Sequence, residues 1–253
     1  LSNKAAENFK KCLKIEPNHQ SASHLYNSLI GLKTKTAPRE YIIKLFDYYA
    51  KNFEKSLIND LEYKIPKEIK NLLLKNSTGS LGNIIDLGCG TGEFLNNYYG
   101  MGAECSGIDI DNNFKIKNKI NFKLINIEAN KFLKNCKKKF DIIFLFEFLE
   151  HLGEQDKYQL FENLTKNLNK NAYIFISTLN KNLLSKYLAI DIAENLLKLL
   201  PKKTHDFNLF LSPSKLQSIS QKYDLNLMDI EGIQYNPIFK SFKLSKFDLV
   251  NYF

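Results

Sequence analysis

The stretch Asn83-Ile84-Ile85-Asp86-Leu87-Gly88-Cys89-Gly90-Thr91-Gly92 runs from an apolar segment into three closely spaced glycines, and no other part of the chain restricts its fold as tightly. Glycine at 88, 90 and 92 lets the backbone turn sharply from strand into helix and bring bare main chain against a ligand. A second acidic position answers the first: Gly107-Ile108-Asp109-Ile110 ends the next expected strand, with Asp109 21 residues beyond Gly88. A carboxylate at that distance, on the tip of the neighbouring strand, is placed to accept ribose hydroxyls. The pair describes a cradle for a nucleotide-type cofactor. A glycine-rich turn in some other α/β protein is the alternative, and the acidic partner at the right spacing argues against it.

A dinucleotide fingerprint would need G-x-G-x-x-G, but position 93 is Glu93, whose charge at a helix N-terminus repels a pyrophosphate. The expected ligand therefore carries no phosphate. S-adenosyl-L-methionine fits, with a ribose, an adenine, an ammonium within reach of Asp86, a carboxylate for the backbone N–H groups, and a sulfonium. Candidate cofactor contacts are Asp86, Gly88, Cys89, Gly90, Gly92, Asp109 and Ile110, together with Ile127, Glu128 and Phe146 at the ends of later strands.

From residue 79 the chain alternates strand and helix, with strands expected near 83–87, 104–109, 121–126, 140–146 and 172–178 and helices near 92–100, 112–118, 128–136 and 154–168. Short links between alternating elements predict an α/β fold, a doubly wound Rossmann-like sheet with ligands at the C-terminal ends of its strands. A helix near 213–223 and strands near 225–233 and 244–251 then resemble the antiparallel hairpin that ends the seven-stranded sheet of class I methyltransferases. The expected organisation is a helical region over 1–35, linker and lid helices over 36–78, and the cofactor domain over 79–253.

Ahead of that domain, Ala5, Ala6, Phe9, Cys12, Leu13 and Ile15 have helical spacing, Glu16-Pro17-Asn18-His19 breaks it, and Ala22, Leu25, Tyr26 and Leu29 resume it. The pattern resembles the end of one tetratricopeptide repeat and the start of another, and a plain helical hairpin is an equal alternative. Repeats would give the chain a protein partner. Opening on Leu1, the sequence reads as a piece of a longer chain. Tyr41 to Phe53 forms an amphipathic pattern with Phe46, Tyr49 and Phe53 on one side. It resembles the lid helix of repeat-linked methyltransferases.

The chemistry concentrates after Phe140-Asp141-Ile142-Ile143-Phe144, where Glu147, Glu150 and His151 emerge at the tip of the fourth strand. If a helical turn begins at Glu147, spacings of three and four place all three on one face. Two carboxylates with an imidazole can hold a divalent cation, Mg2+ or a softer metal, or can serve as a proton acceptor. In the blander reading the glutamates complement a helix N-terminus and His151 acts as base or packs inside. Ser177, Thr178 and Asn180 follow the fifth strand and are expected to line a substrate pocket, with helix capping as the alternative for Asn180.

Five motifs stand in order: Glu147-Phe148-Leu149-Glu150-His151; Ile176-Ser177-Thr178-Leu179-Asn180; Leu199-Leu200-Pro201-Lys202-Lys203-Thr204-His205-Asp206-Phe207; Gly232-Ile233-Gln234-Tyr235-Asn236-Pro237; and Val250-Asn251-Tyr252-Phe253. Together they resemble the signatures of UbiG-type ubiquinone O-methyltransferases, over about residues 83 to 253. The resemblance implies a class I S-adenosylmethionine-dependent methyltransferase acting on ring hydroxyls of polyprenylated catechols. It adds His205 and Tyr235 as substrate-side positions. Two departures stand out: the repeat-like N-terminus, and Lys203 where a glycine is common before Thr-His-Asp.

Net charge is +9, yet Arg39 is the only arginine among 36 basic residues. Nucleic-acid readers lean on arginine forks and aromatic platforms, so no nucleic-acid partner is expected. The lysines instead read as a solvated face, with anionic lipid as the second reading. Scattered Cys12, Cys89, Cys105 and Cys136 fit a reducing cytoplasm, and no apolar run approaches a membrane span. Leu183 to Leu200 is strongly apolar with Lys181, Lys186, Lys198, Lys202 and Lys203 about its ends, so segment 183–203 is either a lid or a contact with the inner face of a membrane. Rival functions are methyl transfer to another small molecule or to a protein recruited by the repeats, and an idle fold used only for binding. Asp86, Asp109, Glu150 and His151 together argue against idleness.

Overall fold

The computed structural model describes residues 2–30, 32, 38, 69–71, 73, 81–90, 92–99, 103–110, 122–186, 206–236, 241–245 and 251–252. The expected helices over 41–53 and 112–118, nearly all of that over 183–200, and His205 lie outside them.

Two helices open the chain, α1 (Ser2–Ile15) and α2 (Gln20–Leu29), and they pack on each other. His19 caps α2 by accepting the Ala22 amide on Nδ1 at 3.2 Å, the local reason the chain restarts as helix after Pro17. Two packed helices are common to both readings, the partial repeat and the plain hairpin.

The sheet is built from β1 (Gly82–Leu87), β2 (Ala103–Asp109), β3 (Lys123–Asn126), β4 (Phe140–Phe146) and β5 (Leu168–Leu179), all parallel, and then β6 (Gly232–Asn236), β7 (Ser241–Ser245) and β8 (Asn251–Tyr252). Their order is β3-β2-β1-β4-β5-β8-β6-β7, with antiparallel pairing beyond β5. The class expected from the sequence is therefore present, with eight strands among the described residues instead of seven. The extra strand comes from the C-terminal region, where the expected hairpin over 225–233 and 244–251 is three short strands. Leu225 to Leu227 alternates like a strand, but Leu227 and Met228 are exposed and pair with no strand among the described residues.

Helices α3 (Glu93–Asn96), α4 (Ala129–Asn135), α5 (Glu154–Lys166), α6 (Leu183–Ser185) and α7 (Pro213–Lys222) complete the described elements. Side chains alternate across a strand, and the core divides accordingly. Ile85, Leu87, Ile143 and Leu145 join the cluster that holds Leu160, Phe161 and Leu164 of α5. Ile84, Ile142, Phe144 and Phe146 point the other way, into a cluster with Leu95 and Tyr98. Asp86 shares the parity of Ile84 and so enters an aromatic neighbourhood.

At the N-terminal edge of the sheet one carboxylate ties three strands together. Asp141 Oδ2 accepts the Asn83 amide at 2.7 Å and Oδ1 accepts Asn169 Nδ2 at 2.8 Å. At the opposite edge the strand order reverses between β1 and β4, which opens a crevice for ligands at their C-terminal ends. Asp141→Ala should lower unfolding stability by about 1–3 kcal/mol in urea titration, since it orphans two partly buried donors.

Candidate active site

The glycine turn sits at the C-terminal end of β1. Gly88, Gly90 and Gly92 all have positive φ, at 84°, 50° and 78°. A Cβ at Gly88 would lie 2.4 Å from Phe148 Cδ2, and one at Gly92 would lie 2.6 Å from Phe122 Cζ, so neighbouring rings press on both. At Gly90 a Cβ would meet nothing within 4 Å among the described residues. The turn is thus walled at its ends and open in the middle, the shape a ligand-facing backbone needs.

Asp109 completes the cradle. Its Oδ2 accepts the Gly90 amide at 2.9 Å, while the Gly88 and Cys89 amides donate to the Ile108 carbonyl at 2.7 and 3.0 Å. Ile110 and Ile127 are half-buried beside it, with the Ile127 amide on the Asp109 carbonyl at 2.9 Å. Glu128 is half-buried at the N-terminus of α4, and Phe146 is buried edge-on to Phe94 with ring centroids 5.6 Å apart. Cys89 is buried with its sulfur against Gly107, so its role is packing, and burial pushes the thiol well up.

Asp86 is the exceptional member. It is 1 % exposed, and its Oδ2 has no hydrogen-bond partner among the described residues. Burial, and then the Asp109 charge, pushes its carboxyl from 3.8 up to about 8. A buried polar atom without a partner is costly, and a ligand that supplies a donor would satisfy it.

A second set lies across the crevice at the end of β4. Glu147 has φ 45°, in the left-handed region that side chains other than glycine seldom adopt. Its amide is held by the Ser177 hydroxyl at 3.2 Å and the Ser177 carbonyl at 2.9 Å. Because Glu147 is not helical, the expected one-faced turn does not form; a 3-10 turn begins only at Leu149 and spans Leu149–His151. Glu150 is consequently directed into the core, where Thr178 Oγ1 donates to its Oε2 at 2.9 Å. Burial foremost, then the Glu147 charge and a hydrogen bond between the two carboxyls, pushes Glu150 well above the usual carboxylate range. Glu147 Oε1 is buried without a partner among the described residues.

His151 is half-buried at the end of the turn, its amide on the Phe148 carbonyl at 3.2 Å. No three His, Cys, Asp or Glu side chains among the described residues converge as metal ligands, which corrects the expectation that Glu147, Glu150 and His151 cage a cation. Ser177 and Thr178 are fully buried, so they support the two glutamates instead of lining an open pocket. Asn180 bridges in parallel to Leu211, and the helix cap expected of it belongs to Asn182, whose Oδ1 accepts the Ser185 amide at 2.8 Å. The backbone of Tyr235 lies in β6 opposite Phe242, two strands away from β5. Sequence reasoning missed Lys157, whose spacing from Leu160, Phe161 and Leu164 puts it on the buried face of α5.

A glycine cradle at the end of β1, an acidic residue at the end of β2 and a parallel sheet reversing between β1 and β4 define a class I methyltransferase that uses S-adenosylmethionine. A family model described as a methyltransferase domain matches residues 57–230. A ubiquinone biosynthesis O-methyltransferase from Pelagibacter ubique is 37% identical over 207 residues, covering 77% of this chain and 84% of that protein. Among solved structures, a SAM-dependent methyltransferase from Archaeoglobus fulgidus superposes with TM-score 0.59 at 22% identity, over 76% of this chain and 81% of that one. An N-methyltransferase from Bradyrhizobium japonicum, solved with S-adenosyl-L-homocysteine, superposes with TM-score 0.57 at 13% identity, over 83% and 97%. The chain belongs to the ubiquinone biosynthesis O-methyltransferase family.

The residues present suit the cofactor: an open glycine backbone, the Asp109 carboxylate, and the unpartnered oxygen of Asp86 for an ammonium. Asp86→Asn should weaken S-adenosylmethionine binding by about 10- to 100-fold in calorimetry, the loss of one charged hydrogen bond. The same change should stabilise the free protein by about 1–3 kcal/mol. Because the folded pKa is raised from 3.8 to about 8, wild-type stability falls with rising pH across that window. The advantage of the variant should therefore grow between about pH 4 and 8 and level off above, read from urea melts at several pH values.

Proposed function

We propose that the chain transfers a methyl group from S-adenosylmethionine to a ring hydroxyl of a polyprenylated catechol in ubiquinone biosynthesis. One observation carries the reading: two buried carboxylate oxygens without partners among the described residues, Asp86 Oδ2 and Glu147 Oε1, stand at the C-terminal ends of adjacent parallel strands. The first suits the ammonium of the donor and the second suits the hydroxyl of the acceptor. The family signatures around Glu147, Ser177 and Tyr252 support the same substrate class.

When bound, S-adenosylmethionine supplies a methyl group made electrophilic by a sulfonium. The chain's own residues hold the acceptor oxygen in line and take its proton. A phenol has a pKa of about 10, so it is nearly neutral at pH 7, and a carboxylate need only accept the proton as the oxygen–carbon bond forms. Glu147 is the acceptor of that proton in this reading. Glu150 is a positioning residue, anchored by Thr178 and hydrogen-bonded to Glu147. The trio does not fit a metal, so no step passes through one. His151 stays assigned to the catalytic proton chemistry, and His205 and Tyr235 to the substrate side.

A second reading, in which the N-terminal helices recruit a protein acceptor, draws on the exposed Ile15, Leu29, Ile30 and Leu32. Turnover of a free catechol without any protein present would contradict it. Contact with the inner face of a membrane through 183–203 draws on Leu183, which is 79 % exposed at the head of an apolar segment between exposed Lys181 and Lys186. Among the described residues no helix is long and apolar enough to cross a membrane.

Glu147→Gln should lower kcat on a short-chain prenylated catechol by about 10²- to 10⁴-fold with donor affinity unchanged. Near-normal turnover in Glu147→Gln removes the proposed base. Charge reversal at Lys198, Lys202 and Lys203 should reduce flotation with anionic liposomes, each lysine contributing about 1 kcal/mol near the surface, and unchanged flotation assigns the segment to a lid.

A further inference from the structure

Lys157 lies on the buried face of α5 and is 3 % exposed. An ammonium is rarely buried without partners, and burial pulls this one down to about 8. Its Nζ donates to the Leu209 carbonyl, in a 3-10 turn over Phe207–Leu209. The Glu150 carboxyl when ionised, and Glu154 and Asp206, favour the ammonium, while Lys181 opposes it.

The turn that Lys157 grips is held from several sides. Lys181 Nζ donates to the Asn208 carbonyl at 3.1 Å, and Asp206 Oδ1 accepts the Asn208 amide at 2.9 Å. Two residues on, the Leu211 carbonyl accepts the Lys181 amide at 3.1 Å and the Tyr252 hydroxyl at 3.0 Å. The 207–209 turn packs directly on the Leu149–His151 turn that carries Glu150. A buried cation therefore joins the first turn of α5, the 206–211 segment and the carboxyl turn in one cluster, away from the glycine cradle.

We propose that Lys157 is a positioning residue for the methyl acceptor: by gripping the Leu209 carbonyl it fixes segment 206–211 against the turn bearing Glu150, and so holds the acceptor side of the site in one arrangement. The proposal rests on the methyl-transfer reading above. A neutral side chain of similar length cannot make the bond, although it fills the same space. The donor cradle, built on β1 and β2, shares no hydrogen bond with this cluster among the described residues.

The test uses the full chain and the variants Lys157→Met and Lys157→Arg, with a prenylated catechol as acceptor. Loss of one hydrogen bond from a charged donor predicts an acceptor KM raised about tenfold or more in Lys157→Met, with the S-adenosylmethionine Kd within about twofold of wild type. Amide hydrogen exchange over 206–211 should accelerate by about tenfold or more in the same variant. Lys157→Arg, which can still donate, should recover most of both effects. An unchanged KM, or a donor Kd that rises in step with KM, overturns the proposal. If the wild-type chain methylates no catechol, the functional reading fails, and hydrogen exchange alone decides the latch: unchanged exchange in Lys157→Met overturns it.

Discussion

The site depends on one hydrogen bond, from the Gly90 amide to the Asp109 carboxylate at 2.9 Å. It pins the glycine turn to the tip of β2 and holds a negative charge at the mouth of the cradle. That charge, added to burial, forces Asp86 to keep its proton to about pH 8 and leaves one of its oxygens unpartnered among the described residues. An apo fold built this way holds polar groups in reserve. The cost is tolerable because the surrounding sheet is anchored elsewhere, by the two core clusters and by Asp141 at the far edge.

Glu147 repeats the pattern on the other side of the crevice. Its left-handed backbone is held by Ser177, its neighbour Glu150 is held by Thr178, and one of its oxygens lacks a partner among the described residues. Strain and unsatisfied burial at the same residue mark a place where stability yields to function. The two carboxylates flank the strand-order reversal, where a parallel α/β sheet leaves room for a ligand.

Much of this was legible in the sequence, for physical reasons. β1, β2 and β4 lie within one residue of their expected bounds, β1 and β4 because each carries an apolar run ended by a polar or glycine break and β2 because Gly107-Ile108-Asp109 marks its tip. The glycine turn and Asp109 were legible because their chemistry fixes both residue type and spacing. The C-terminal strands were not, since Leu225 to exposed Leu227 imitates strand alternation. The one-faced arrangement of Glu147, Glu150 and His151 failed because a backbone sign change at Glu147 leaves no periodic trace. Hydroxyls expected to touch substrate at 177 and 178 are internal supports, a role that depends on burial and not on residue type. Lys157 did leave a trace, a cation at an apolar helix position, which gains meaning only with its partner at Leu209.

The central claim is that the two buried carboxylate oxygens are reserved for two different ligands. A crystal structure with S-adenosyl-L-homocysteine and a catechol acceptor tests it most directly. The account predicts the amino group of the cofactor product within hydrogen-bond distance of Asp86 Oδ2, and a catechol hydroxyl on Glu147 Oε1. Both ligands bound with either oxygen still unpartnered, or with the catechol seated away from Glu147, would contradict it.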